Sequence, residues 1–377
     1  MRRLSRHRCP CCKRFELAGA GDEPALRRLL RETALAGAVS VTLEREPCIH
    51  FGNAIEGESN QVLVGRSPVD GSIVAMGTRT LLKCYVNGMR QAVGYLGQLR
   101  LHPSCRSNPT ILKRGYESLR RLHEDGAAAF YVTTIISDNE RARRVLEAGL
   151  PGLPTYQYRG DVLTLVLSTS QPLRSTDTRI DTARIDDLDG MVDCLERNGR
   201  RYQLTPCWTR ADLLSETRSR GLSIEDFIVA RRGERLVGCI ACWDQREFKQ
   251  TVVRGYSRSF AWARPLANCL SPLTGTPKLP AVGQAFDYAY LSHLAVDDDD
   301  PGVFEALVRS ALQVARQRGL DHVLLGLGER SALTPIALER FKTRQYRSRA
   351  YLAHWPDGLE AVSAVDSRPL HLEVAIL

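Results

Sequence analysis

The chain has 377 residues, 43% of them hydrophobic and 25% charged, the balance of an ordinary globular protein with two domains or three. No apolar run approaches the ~20 residues needed to cross a bilayer, which argues against membrane-spanning helices and a membrane partner. A net charge of +9 admits a polyanionic cofactor, a solvated basic surface or nucleic acid; with no zinc-finger, helix-turn-helix or aromatic RNA-binding pattern, nucleic acid is the least favoured of the three.

Residues 1–14 are basic and carry Cys9, Cys11 and Cys12. They lack the apolar core of a secretory leader, and the eleven cysteines follow no framework spacing, so reduced thiols and a cytoplasmic location are expected. Cys48 and His50 add metal-type ligands, but the two C-x2-C pairs of common zinc sites are missing, and no metal is expected. From Phe15, FELAGAGDEPALRRLLRETAL predicts a short strand, a turn with Pro24 near the first helical position, and a helix with Leu26, Leu29, Leu30 and Leu35 on one face. QVLVGRSP, GSIVAMGTRTLLKCYV and QAVGYLGQLRLH then read as strands, with Asp70-Gly71 and Asn87-Gly88 as hairpin turns. A helix over about 110–123 and the strand AAFYVTTII follow. A helix capped by Asp138 or Asn139 and closed by Gly149, then the strand DVLTLVLS, complete the first unit.

The polar stretch 169–179 predicts a linker between a domain over 15–168 and a second over 180–377. Beyond it the same order of elements returns. YLSHLAVDD from Tyr290 matches YLGQLRLHP from Tyr95 in its Tyr-Leu pair and later apolar positions. The helix VFEALVRSALQVARQRG, the strand DHVLLGLG, a further helix and the strand YRSRAYLAHW follow in turn. This is an internal duplication of a unit of about 170 residues. The second copy carries an insertion at about 246–285, rich in Arg, aromatics and Pro and too long for a hairpin loop.

LRLHPSCRSNPTI resembles the central motif of the GNAT superfamily of acyl-CoA-dependent N-acyltransferases. That motif is an apolar strand, a His-Pro-like step, then Arg/Gln-x-x-Gly-x-Gly/Ala at a helix start. Leu99 and Leu101 take the strand positions, His102-Pro103 the step, and Arg106 the leading Arg/Gln; Pro109 and Ile111 stand where the two glycines belong. Asn139, in SDNERARRVLEAG, matches the Asn that opens the family's next helix, and Leu146 stands where the family often has a tyrosine acid. The resemblance implies two tandem GNAT-like domains of α/β (α+β) class, each a mixed, mostly antiparallel twisted sheet flanked by helices. It implies transfer of an acetyl or other acyl group from acetyl-CoA or another acyl-CoA to a small-molecule or peptide amine. The main chain of Leu99, Arg100 and Leu101 would meet the pantetheine and thioester, and Arg106, Ser107, Asn108, Thr110 and Ile111 would hold the diphosphate, with Asn139 beside them.

Physics qualifies the diphosphate site. A helix N-terminus offers unpaired amides and partial positive charge, and glycines let phosphate approach the backbone. Pro109 removes one amide, and Ile111 is expected to set a branched side chain in the phosphate's path, while Arg106 and the Thr110 hydroxyl add donors. Asn108 before Pro109 also makes a good cap for a plain helix start. In the second copy the equivalent turn, VDDDDPGVF, puts four carboxylates where a diphosphate would sit, so that copy is expected to be structural or to shape the acceptor site. No residue declares itself the general base. Glu56 and Glu58 in AIEGES lie near the expected acceptor side, and Tyr131 or Tyr116 could serve as acid, each with an ordinary packing role as the alternative. Two other readings fit the altered loop: an aminoacyl transferase using charged tRNA, and a non-catalytic ligand-binding or scaffold protein.

Overall fold

The computed structural model describes residues 15–105, 109–171, 178–274 and 278–377. Its first half supplies strands β1 (Phe15–Leu17), β2 (Val39–Glu44), β3 (Ser59–Arg66), β4 (Ile73–Val86), β5 (Met89–Leu101), β6 (Tyr131–Ile136) and β7 (Thr155–Ser168). The second half supplies β8 (Arg179–Thr182), β9 (Phe227–Arg232), β10 (Arg235–Trp243), β11 (Gln250–Tyr256), β12 (Tyr288–Val296), β13 (His322–Gly328) and β14 (Thr343–His354). Helices α1 (Glu23–Glu32), α2 (Ile49–Ala54), α3 (Pro109–His123) and α4 (Glu140–Leu146) flank the first half.

Local chemistry explains these elements. Asn87 (φ +54°) and Gly88 (φ +78°) occupy the left-handed positions of a tight turn, which fixes β4 and β5 as one long hairpin. Pro24 starts α1, which buries Leu26, Leu29 and Leu30 against β3 and β4. Leu35 does not share that face: α1 ends at Glu32, and Leu35 forms an isolated bridge to Val41 instead. The Asn139 side chain accepts from the Ala142 amide at 3.2 Å and caps α4.

Twelve strands form one sheet in the order β1-β3-β4-β5-β6-β14-β7-β13-β12-β10-β9-β8. Only β5–β6 and β12–β13 run parallel among the described strands. The halves exchange their last strands: β14 lies between β6 and β7, and β7 pairs β13 on its other edge. Strands of both halves therefore belong to one continuous sheet. The insertion at 246–285 contributes β11, which pairs β2 of the first half in a separate two-stranded ribbon, and a helix over Arg258–Thr274.

Side chains alternate across the sheet. Leu63, Leu96, Tyr116, Leu119, Tyr131, Ile135 and Leu146 pack on the α3 side, while Tyr95 and Val132 join the large cluster on the opposite face. β5 and β6 touch only at Gly94–Tyr131 and Tyr95–Val132 before they diverge. Gly94 is required there, because a Cβ would lie 2.0 Å from the Tyr131 ring. That ring is fully buried and its hydroxyl is held by Arg79 Nε (3.1 Å) and His123 Nδ1 (2.9 Å). Gly94→Ala is expected to cost about 1–3 kcal/mol by overpacking, read as a lowered midpoint in chemical denaturation.

Candidate functional site

β5 carries a bulge where it leaves β6. Thr78 pairs Gly97 and Met76 pairs Arg100, so Gln98 and Leu99 stand opposite Gly77 alone, and Gln98 takes φ +48°. A non-glycine residue in that region costs ~1–3 kcal/mol and needs an anchor. Gln98 Nε2 provides it, donating to Asn53 Oδ1 (2.8 Å) and Glu56 Oε1 (3.0 Å). Across the gap the Thr133 hydroxyl donates to the Leu96 carbonyl at 2.8 Å, bridging the diverging strands.

A cavity of about 440 Å³ passes through the sheet at this divergence. Its α3 side is apolar, lined by Phe15, Leu63, Leu96, Leu112, Gly115, Tyr116, Leu119, Leu146 and Tyr156. Its other side is polar, lined by Glu44, Arg45, Glu56, Tyr95, Thr134, Lys249, Thr251, Tyr288 and Tyr290. β11 and the residue before it bring Lys249 and Thr251 over the first half's strands, so both halves wall one cavity. Tyr95 and Tyr290, equivalent positions in the duplication, both face it.

Glu56 is the organising carboxylate, with 1% of its surface exposed. It accepts from Arg45 Nη2 (2.8 Å), Gln98 Nε2 (3.0 Å), Thr80 Oγ1 (2.9 Å) and Asn60 Nδ2 (3.2 Å). Glu58 behaves differently: 55% exposed, it pairs with Lys83 at 3.1 Å and does not line the cavity. Lys249 Nζ lies 5.2 Å from the Tyr290 ring centroid and donates to the main-chain oxygens of Ala375 (2.8 Å) and Leu377 (3.3 Å). Burial, reinforced by Arg45, holds its pKa well below the usual lysine range. Burial, then the nearby Glu56 charge, pushes the Tyr95 phenol up to about 12, so it stays protonated at neutral pH.

The other sequence-predicted residues fall in three places. Leu99, Arg100, Leu101, Ile111, Asn139 and Tyr116 line the cavity. Thr110 is exposed on the first turn of α3, and Arg106, Ser107 and Asn108 lie outside the described residues. Tyr131 is on the α3 face but away from the cavity, committed to Arg79 and His123. Tyr116 meets Tyr156 hydroxyl to hydroxyl, and burial pushes its pKa up to about 12. The Ile111 side chain is fully buried with Phe15, Val74, Ala75 and Cys105. Among the described residues no cluster of metal-type ligands is present, and no helix is long and apolar enough to cross a membrane.

The second copy repeats the bulge but not the opening. Ala241 pairs Ser292 and Cys239 pairs Ala295, and His293, the counterpart of Gln98, takes φ +54°. Here β12 and β13 pair over Tyr288–Leu291, Glu373 accepts from the His293 amide at 2.8 Å, and Trp208 stacks at 4.1 Å, leaving about 20 Å³. Burial, then Arg218, lowers the His293 pKa to about 3, so its imidazole is neutral. Three of the four carboxylates of the acidic run are paired. Asp297 takes Arg197 and Arg235, Asp299 takes Arg201, and Asp300 caps the following helix at the Gly302 and Val303 amides.

No family model matches the chain, and no curated protein does. Solved structures do. A Saccharomyces cerevisiae N-myristoyltransferase with bound myristoyl-CoA superposes with a TM-score of 0.58 at 12% identity, covering 91% of this chain and 83% of that one. A GCN5-related N-acetyltransferase from Sphaerobacter thermophilus gives 0.53 at 16% identity, covering 91% and 96%. The likeness establishes a GNAT-like fold for this chain, in an arrangement that fits the N-myristoyltransferase architecture.

Proposed function

We propose that this protein transfers an acyl group from acyl-CoA to a primary amine by direct attack. The observation that carries the reading is the cavity through the sheet at the β5–β6 divergence, apolar on the α3 side and polar on the other. The thioester would lie along the bulged edge of β5, its acyl chain among Leu96, Leu112, Leu119 and Leu146. The amine would approach from the side of Glu56, Tyr95 and Lys249. Nitrogen attacks the carbonyl carbon, the carbon–sulfur bond breaks, and the thiolate takes up a proton as the amine gives one up. Glu56 is the candidate to receive the amine's proton, directly or through water, and the protonated Tyr95 hydroxyl faces the same space.

The apolar side also bears on the acyl group. Acetyl would leave most of those side chains without a partner, so an acyl chain of several carbons fits the cavity better than acetyl. Titration of the full chain with acetyl-CoA and with myristoyl-CoA in a calorimeter tests this. Binding of both, tighter for the longer chain, is the expected result, with Arg106→Ala weakening each. Absence of heat from either at high micromolar concentration overturns the proposal.

A further inference from the structure

The polar side of the cavity holds more positive charge than its carboxylates balance. Arg45, Arg100 and Lys249 line it together with Glu44 and Glu56. Glu44 is taken by Arg254 and Thr42. That leaves Glu56 to face the two guanidiniums, and Arg45 already binds it; Lys249, its pKa held low by burial, is spent on the main-chain oxygens of Ala375 and Leu377. Arg45 is buried, and its Nη1 has no hydrogen-bond partner among the described residues. The guanidinium cannot swing away, because it packs on Gly52, where a Cβ would lie 2.3 Å from Nη1. Arg100 finds only the carbonyl of its neighbour Leu99, at 3.0 Å, and no carboxylate among the described residues. Its direction follows from the strand: Leu101 packs with Phe15 and Ile111 on the α3 side, so Arg100 faces the polar side with Arg45. Burial and the Arg45 charge lower the Arg100 pKa to about 10, as expected of two like charges sharing a desolvated space.

We propose that the acceptor amine carries a carboxylate, and that Arg100 with Arg45 receives it on the polar side of the cavity. The Arg100 guanidinium binds a carboxylate by charge-assisted hydrogen bonds, the fixed Arg45 charge beside it adds attraction, and together they orient the amine toward the thioester. This inference rests on the acyl-transfer reading above and adds the chemical class of the acceptor. A phosphate of the cofactor would offer the same charge, and the test separates the two sources.

Thiol release from myristoyl-CoA is measured with glycine, leucine and phenylalanine as acceptors and with the matching amino-acid amides. The free acids are expected to be favoured about tenfold or more in kcat/KM. Arg100→Gln should erase that preference by raising the KM of the acids, Arg100→Lys should restore part of it, and the calorimetric Kd for myristoyl-CoA should stay within about twofold. Equal use of acids and amides, or failure of every free acid as an acceptor, overturns the inference. So does an Arg100→Gln variant that loses cofactor affinity while keeping its acceptor preference, which would assign the anion to the cofactor. Acyl transfer without a carboxylate preference leaves the proposed function standing, whereas failure to bind any acyl-CoA removes both.

Discussion

Glu56→Gln is expected to lower kcat by about 10²–10⁴, the range for loss of a positioned acid–base group, while the Kd for acyl-CoA changes only a few-fold. Two consequences of the substitution act together. The amide no longer accepts a proton from the amine, and the NH2 group it introduces meets a site built entirely of donors: Arg45, Gln98, Thr80 and Asn60. Gln98 holds its left-handed backbone through that carboxylate, so the bulge that borders the cavity loosens as well. Breaking a buried pair by removing one partner costs about 3–5 kcal/mol, so the melting temperature should fall too. A double variant separates the two effects. Arg45→Met with Glu56→Leu replaces the buried pair by apolar groups and should recover much of the stability while activity stays lost. Glu58→Gln, on an exposed carboxylate paired with Lys83, should leave both nearly unchanged. Retention of kcat in Glu56→Gln would remove Glu56 from the mechanism.

The contrast between these two glutamates shows where the sequence stops being informative. AIEGES carries both, two residues apart in a loop without periodicity, and nothing local says which turns inward. The answer is set by Arg45, Thr80 and Gln98, which come from three separate segments. Ile111 follows the same logic: the motif says only that it stands at a glycine position, whereas its packing beside Phe15 and Cys105 depends on other segments. The hairpins at Asp70-Gly71 and Asn87-Gly88, the cap at Asn139 and the repeated Tyr-Leu pair were legible because each depends on chemistry within a few residues. The two bulges were not expected from the sequence; the structure places Gln98 and His293 at matching positions of the repeat. The exchange of β7 and β14 between halves was not legible, because pairing across nearly 200 residues leaves no local pattern. Nor was the arrival of Lys249 and Thr251 from the insertion, which depends on β11 pairing β2. Arg45 and Tyr95 were missed for related reasons. Arg45 looked like any loop arginine, while Tyr95 stood in the matched Tyr-Leu pair, a signal that the cavity now explains.

Gly115→Phe should convert a preference for long acyl chains into one for short chains. Gly115 sits inside α3, where glycine costs about 1 kcal/mol relative to alanine and needs a reason. The cavity supplies one: Gly115 lines its apolar side between Leu112 and Leu119, and a Cβ there would already come within 3.4 Å of the Phe15 ring. An added methyl is tolerable contact, whereas a benzyl group must either displace Phe15 or occupy the cavity. Because Phe15 is itself buried with Ile111 and Ala75, the cavity is the space that yields. Each methylene excluded from an apolar pocket is worth about 10–200-fold in discrimination, so several excluded together should weaken myristoyl-CoA binding by at least 100-fold. Acetyl-CoA needs little of that volume and should keep its affinity within a few-fold. Gly115→Ala provides the intermediate point, with a small loss for the long chain and a slightly more stable helix. The measurement is the pair of calorimetric Kd values for each variant, and the quantity that decides is their ratio. A ratio that stays constant from Gly through Ala to Phe would mean that the acyl chain lies somewhere other than beside α3.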